Sequence, residues 1–398
     1  MHVVSGLQDV QVKPRGLALV AISFCLFGLY WGSWIVAAAN VEHELGLSHA
    51  TLGLLLSTAL AGAAVTNIVG GALTERRGTA HVLAVTIAVW GALIIAASFA
   101  RNGVAFALAL IAIVTIGGLL DVVMNVAATA ALADRPGSLV RFHAFFNGSA
   151  AVGAAATGAL LANHLSWRWT WTVDGVVALV VAGLASRASL PASGAGEHVP
   201  LTNALTFLRR EGLILIAVAF ALAAIVENGT ELWGVLLLRT RLSSGLLVGA
   251  TSAVAGYAIA ATARVVIGPI AGRRGASRGV ILGTVAAACG LVVLAVARQP
   301  WLLGAGLVLA AGGVSMCWPL LLAYASTTAQ RSGAAARSAR PGAVVGGVTA
   351  VGYLGFVIGP AIVGAVADRA GLSVGVLVLA GAAVYVAASV RFSERVKA

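Results

Sequence analysis

Seven polar side chains stand in stretches otherwise made of hydrocarbon. Asp121 and Asn125 are four residues apart in GGLLDVVMNVAATAAL, as are His143 and Asn147 in RFHAFFNG and Glu227 and Glu231 in IVENGTELW, while Arg264 stands alone in a later apolar run. On a helix, residues four apart share a face. An ionisable group sunk in an apolar span faces a bundle interior or a watery cavity and marks a functional site by default. An acid that meets water at one moment and a partner at the next can exchange a proton with each. Asp121, Glu227 and His143 are therefore the candidates for proton handling; histidine titrates near neutral pH, and Glu227 could alternatively capture a cationic substrate. Two carboxylates on one face repel when both are ionised, which sets Glu231 against Glu227. A buried arginine needs an anionic partner, so Arg264 is expected to pair with Asp121, Glu227 or an anionic substrate, or to serve as a fixed packing charge.

Such residues need long apolar elements to hold them. Of 398 residues, 60% are hydrophobic and 10% charged, and mean hydropathy is +1.00. A water-soluble fold would lack the polar surface to cover itself, so the chain belongs in a lipid bilayer. Crossing the hydrocarbon takes about 20 apolar residues. Twelve such segments are expected, near 16–39, 50–73, 79–99, 103–132, 141–163, 168–187, 212–238, 247–271, 279–297, 301–327, 342–366 and 371–390. The predicted fold is all-α: a polytopic membrane protein of twelve helices in two pseudo-symmetric six-helix halves, 1–190 and 212–398, joined by a linker at 191–211. The turn-rich PASGAGEHVP at 191–200 marks that linker.

The net charge of +12 would suggest nucleic acid in a soluble protein, but here the arginines fall in short loops. Eighteen of the 25 lysines and arginines lie on the side that carries both termini and the linker, which the positive-inside rule makes cytoplasmic. The expected location is the cytoplasmic membrane, with no nucleic-acid partner. Neither a nucleotide-binding motif nor a metal-ligand or nucleophile pattern occurs, so neither an enzyme nor a cofactor is expected. Cys25, Cys289 and Cys317 read as inert core residues, and Trp167 and Trp169 as members of an interfacial aromatic belt.

One repeat is visible. Gly71-Ala-Leu-Thr-Glu-Arg-Arg-Gly78 matches Gly268-Pro-Ile-Ala-Gly-Arg-Arg-Gly275 at an offset of 197 residues, and each copy follows the second span of its half. Repeated halves characterise secondary transporters, whose site lies at mid-membrane between them.

GALTERRG resembles the loop signature of the major facilitator superfamily. LDVVMN, RFHAFFNG, Glu227 with Leu232-Trp233, Arg264, Trp318-Pro319 and GYLGFVIGPAIVG at 352–364 together resemble that superfamily's fucose-permease-like branch. The resemblance implies that spans one, four, seven and ten line a central cavity. It places Asn125, Asn228, Glu231, Trp31, Trp34 and Trp318, together with Asn147 on the fifth span, as substrate contacts. It also implies gating or structural charges at Glu75, Arg76, Arg77, Arg264 and Arg273. This chain departs from the pattern in two places: the second loop copy has Gly272 in place of an acid, and residues 16–39 carry no acid where sugar permeases of the branch use one.

The expected function is secondary active transport of a small molecule by alternating access, coupled to protons. Few amides are available to read hydroxyls, and apolar and aromatic side chains abound, which favours export of an amphiphilic metabolite or drug by a functional monomer. Proton-coupled uptake of a sugar or polyol is the alternative, and a non-transporting membrane sensor or scaffold is a second.

Overall fold

The computed structural model describes the chain apart from residues 1–13, 132–135, 189, 191–207, 210–212, 243–245, 268–274, 319, 322–323, 326–340 and 396–398; the side chains of some helical residues, Glu75 and His143 among them, also lie outside the description. Among the described residues, twelve helices carry the fold. In the first half they are α1 (Pro14–Leu45), α2 (His49–Arg77), α3 (Thr79–Ser98), α4 (Gly103–Ala131), α5 (Pro136–Ala162) and α6 (Arg168–Ala185). In the second, α7 runs as α-helix over Ile214–Gly229, π-helix over Thr230–Gly234 and α-helix again over Val235–Arg241. It is followed by α8, an α-helix over Leu246–Thr262 that continues as π-helix over Ala263–Ile267, and then by α9 (Ala276–Val296), α10 (Pro300–Ser315), α11 (Pro341–Ala370) and α12 (Leu372–Arg395). Ten of these are long and apolar enough to cross a membrane, and the two shorter apolar helices fall in α8 and α10. Large apolar side chains on the outer faces are exposed, including Leu54, Val104, Leu282 and Trp301, as lipid-facing positions must be.

Packing repeats along with sequence. In the first half α1 packs on α5, α2 on α4 and α3 on α6; in the second, α7 packs on α11, α8 on α10 and α9 on α12. The halves meet through α2 against α11 and α5 against α8, two contacts that a pseudo-two-fold exchanges. The repeated loop motif shares a backbone feature too. Gly78 and Gly275, its last residues, have φ of 82° and 109° and precede the first residues of α3 and α9. Only glycine enters that region without a steric penalty, which explains why the motif ends on it in both copies.

Several boundaries differ from expectation. α1 continues six residues past 39 and brings two acids to its far end, Glu42 and Glu44. Both are engaged: His49 Nδ1 lies 2.8 Å from Glu42, and Arg168 binds Glu44 at 2.6 and 2.7 Å. Trp167 donates to the same Glu44 at 3.2 Å and is only 2% exposed, so it is a core residue rather than part of an aromatic belt; Trp169 is the exposed one. Cys289 is exposed, not in the core. α10 runs to Ser315, and helical residues recur among the described positions as far as Ala325. Pro319 has no N–H to offer the Ser315 carbonyl, whereas Leu320 N bonds Met316 O at 3.2 Å.

With helices running alternately up and down, the start of α1 at Pro14, the end of α6 at Ala185, the start of α7 at Ile214 and the end of α12 at Arg395 fall at one face of the bundle. On the opposite face, where α1 turns into α2, the two halves are sealed. Arg239, near the end of α7, donates to Val36 O at 2.5 Å and Asn40 Oδ1 at 2.9 Å on α1. Beside it α2 and α11 touch backbone to backbone: a Cβ on Gly53 would strike the Pro360 carbonyl, and one on Gly364 the His49 carbonyl. Pro360 sits inside α11, and the Ala361 amide just beyond it bonds Ser57 Oγ at 3.0 Å.

Candidate functional site

Below that seal, at mid-depth, the voids converge on α7. One small void is lined by Glu227, Glu231, Tyr257, Ala311 and Ser315, with Ile35 of α1 as its first-half wall. A second is lined by Trp31, Trp34, Leu56 and Leu60 of the first half and by Asn228, Glu231 and Leu232 of α7. Ile35 and Glu231 border both. Their position follows from α7 itself. Glu227 is 13 residues past Ile214, about 20 Å along the axis at 1.5 Å per residue, and therefore near the middle of the bundle.

The electrostatic centre is an ion pair. Arg264 Nη2 lies 2.5 Å from Glu227 Oε1, with side-chain exposures of 23% and 13%. Arg264 Nε donates to the Ser315 carbonyl at 3.0 Å. The guanidinium is thus gripped from two helices, by a carboxylate on α7 and by the backbone acceptor that Pro319 leaves free on α10. Both helices that supply the pair change pitch beside it: the π-helix of α7 begins three residues after Glu227, and that of α8 contains Arg264. Single π turns inside α-helices concentrate at functional sites. Glu231, one turn beyond Glu227, makes no ion pair among the described residues, though Glu227 and Arg264 both lie close enough to act on its charge. The ion pairs among the described residues are His49–Glu42, Arg168–Glu44 and Arg264–Glu227, which leaves the Glu231 carboxylate half-buried at the cavity wall.

Asp121 lies elsewhere. Asn125 Nδ2 donates to both its backbone carbonyl and its Oδ1 at 2.9 Å, and the Tyr353 hydroxyl of α11 is its side-chain partner across the junction of the halves. Asp121 and Asn125 border neither cavity, so the structure separates the two acids expected near a common chamber. Tyr353 joins Trp318, Phe356 and Phe220 in an aromatic cluster, with Trp318 and Phe220 centroids 4.1 Å apart. Trp318 is thereby packed into the second half instead of lining a void. Trp34 is 1% exposed and stacks on Phe106, so it meets the second void mainly as a buried wall.

The remaining expected site residues disperse. Asn147 on α5 is 3% exposed, and its amide nitrogen has no partner. His143 is on the same helix and Glu75 in the last turns of α2, their side chains outside the description; Arg273 lies outside the described residues. Arg76 and Arg77 close α2 and are exposed on the termini face. Sequence reasoning missed Tyr257, Tyr353 and the Ser315 carbonyl. Each had a signal: a lone phenol in an apolar span for the tyrosines, and a proline four residues downstream for the carbonyl. Among the described residues no group of three or more His, Cys, Asp or Glu could hold a metal ion.

Comparison with known proteins supports the architecture. The nucleoside transporter NupG superposes with a TM-score of 0.75 at 14% identity, covering 95% of this chain and 98% of that one. A bacterial homologue of the human lysosomal transporter Spinster, in an inward-facing, occupied conformation, gives 0.73 at 13% identity, covering 95% and 96%. The human organic anion transporter MFSD10 (TETRAN) gives 0.66 at 13% identity, covering 95% and 100%. No curated protein sequence matches the chain. At these identities the likeness shows the fold alone. The family model of the Major Facilitator Superfamily, however, matches residues 19–339 directly; with twelve helices in repeated packing around a mid-depth cavity, the chain belongs to the Major Facilitator Superfamily, whose members are transporters and not enzymes.

Proposed function

We propose that the protein is a proton-coupled secondary transporter that exports an amphiphilic metabolite or drug across the cytoplasmic membrane as a monomer, with both termini cytoplasmic and the halves 1–190 and 212–398 rocking about the linker at 191–211. The observation that carries this reading is the cavity: voids walled by apolar and aromatic side chains from both halves, with a few convergent polar groups, at mid-membrane depth. Asn228 is the one amide at the wall of these voids among the described residues, too little to read the hydroxyls of a sugar. The bonds of Arg239 to α1 and the close approach of α2 to α11 join the halves at the face opposite the start of α1, which supports entry from the other, cytoplasmic side in this reading.

Two acidic stations serve coupling in this reading. Asp121 sits toward the cytoplasmic end of α4 and Glu227 at the cavity, with His143 near the cytoplasmic mouth as a relay. Their separation suits a carrier in which proton and substrate occupy different places. Substrate binding falls to Trp31, Trp34, Asn228 and Glu231, while Glu75, Arg76, Arg77 and Arg273 form the cytoplasmic loop charges. Uptake of a sugar or polyol is the second reading, favoured by the sequence resemblance of LDVVMN and RFHAFFNG to the fucose-permease-like branch. Substrate-dependent pH changes in oriented proteoliposomes distinguish them: export gives proton entry opposite to substrate movement, and uptake gives movement in the same direction. Uphill transport by Asp121→Asn under a proton gradient refutes the assignment of Asp121 as a coupling group.

A further inference from the structure

The first half holds a carboxyl that the transport reading leaves unused. Asp174 lies on the inner face of α6, six residues past Arg168 and so about 9 Å along the axis from the start of the helix. It is 7% exposed, and neither of its carboxyl oxygens has a hydrogen-bond partner among the described residues. Beside it runs a row of rings: Trp171, three residues back on α6, has its centroid 5.2 Å from that of Tyr30 on α1, which lies 5.4 Å from that of Trp90 on α3. All three are at most 1% exposed, and the Tyr30 hydroxyl and both indole nitrogens also lack partners among the described residues. Four buried polar side chains with no bond made are rare enough in a folded protein to need a cause.

Charge supplies the cause. Asp174 is close enough to act on the Tyr30 hydroxyl, yet no cation pairs with it among the described residues. Arg168, on the same helix, is held by Glu44 at 2.6 and 2.7 Å and by the Ala100 carbonyl at 2.7 Å. Helices α3 and α5, which also pack on α6, bring the Trp90 indole and the Thr157 hydroxyl, the latter bonded to Thr170 and Ser33; neither is charged. An ionised carboxylate here is unpaired and unsolvated, a form that burial disfavours. A metal ion is no remedy, because indole offers a hydrogen and no lone pair. A proton is one: a neutral carboxyl carries a donor as well as acceptors, and can share bonds with the Tyr30 hydroxyl directly or through one water. We propose that Asp174 is a proton-binding site of the first half, separate from the mid-depth cavity and holding one proton at neutral pH. The helices that enclose it, α1, α3 and α6, all belong to one half, so the site stands whether or not the transport reading does.

Infrared spectroscopy reads the proton directly, because a carboxylic acid and a carboxylate absorb at separate frequencies. The purified full-length chain is measured in micelles of an ester-free detergent, since lipid esters absorb where the acid does. At about pH 7, where a carboxyl in water is ionised, the native protein is expected to show an acid band that Asp174→Asn removes and that Asp121→Asn and Glu231→Gln leave in place. Tyr30→Phe keeps the acid and takes away its neighbouring hydroxyl, so the same band is expected to persist at a shifted frequency. An acid band missing from the native protein overturns the proposal without recourse to any variant, and so does a native spectrum that a folded Asp174→Asn reproduces in full. Should Asp174→Asn fail to fold, Tyr30→Phe decides: a shifted acid band upholds the site, and an unshifted one assigns the native band to another carboxyl and sinks it.

Discussion

Replacing Glu227 by glutamine keeps the shape of the side chain and removes the anion that holds Arg264. Two unit charges about 4 Å apart at an effective dielectric of about 20 attract by about 4 kcal/mol. Removing one member of a buried pair costs about 3–5 kcal/mol, because the other is left uncompensated. With exposures of 13% and 23% for the two side chains, some water reaches the pair, and the lower end, about 3 kcal/mol, applies. The converse substitution, Arg264→Met, is milder. A stranded carboxyl can take up a proton and become neutral whereas a guanidinium cannot shed one, so the cost is that of leaving Glu227 and the Ser315 carbonyl without a donor, about 1–3 kcal/mol. Removing both charges together is expected to cost less than Glu227→Gln alone. Glu231 is one turn away and could replace the missing anion, so the four proteins of the cycle are compared in a Glu231→Gln background, by reversible unfolding in mixed micelles. If Glu227→Gln lies within about 0.5 kcal/mol of its parent, or the two single costs simply add, the pair does not hold α7 to α8 and the electrostatic centre described above is wrong.

Two further outcomes follow from the backbone contacts. Gly53→Leu places a side chain where the Pro360 carbonyl sits, so spin labels at exposed Asn102 and Arg298, on opposite halves of the sealed face, should report a wider separation than in the native protein; an unchanged distance shows that the α2–α11 contact does not govern closure. Gly78→Ala and Gly275→Ala should each lower stability by about 1–2 kcal/mol, the penalty for a side chain at positive φ, and by similar amounts in thermal denaturation if the two copies are equivalent; a cost at one site alone breaks the equivalence.

Much of the architecture was legible because it is written in hydrophobic length and in repetition. The apolar runs and the repeated loop motif that ends on Gly78 and Gly275 announce themselves locally. Pairing was less legible, since it depends on which faces the helices turn to one another. Arg264 had three candidate partners in sequence, and only the crossing of α7, α8 and α10 singles out Glu227 and a backbone oxygen. Asp121 and Glu227 looked like companions from span number, yet Asp121 turns to Tyr353 at the junction of the halves. The two π segments have no compositional mark: TELWG and ARVVI read as ordinary helix, and the extra residue per turn emerges from tertiary packing. Trp318 illustrates the remaining difficulty, because a large aromatic in an apolar span reads the same whether it lines a chamber or fills a core.

The oxygen that steadies Arg264 from α10 belongs to the main chain, and what makes it available is a hydrogen missing from residue 319. The side chain at position 315 is not what holds Arg264, since every amino acid carries that carbonyl; Ser315 itself is 1% exposed and donates its hydroxyl to the Gly312 carbonyl. Any other residue at position 319 brings an amide able to compete for the oxygen. A survey of polar side chains around Arg264 would therefore pass over an anchor that belongs to the main chain.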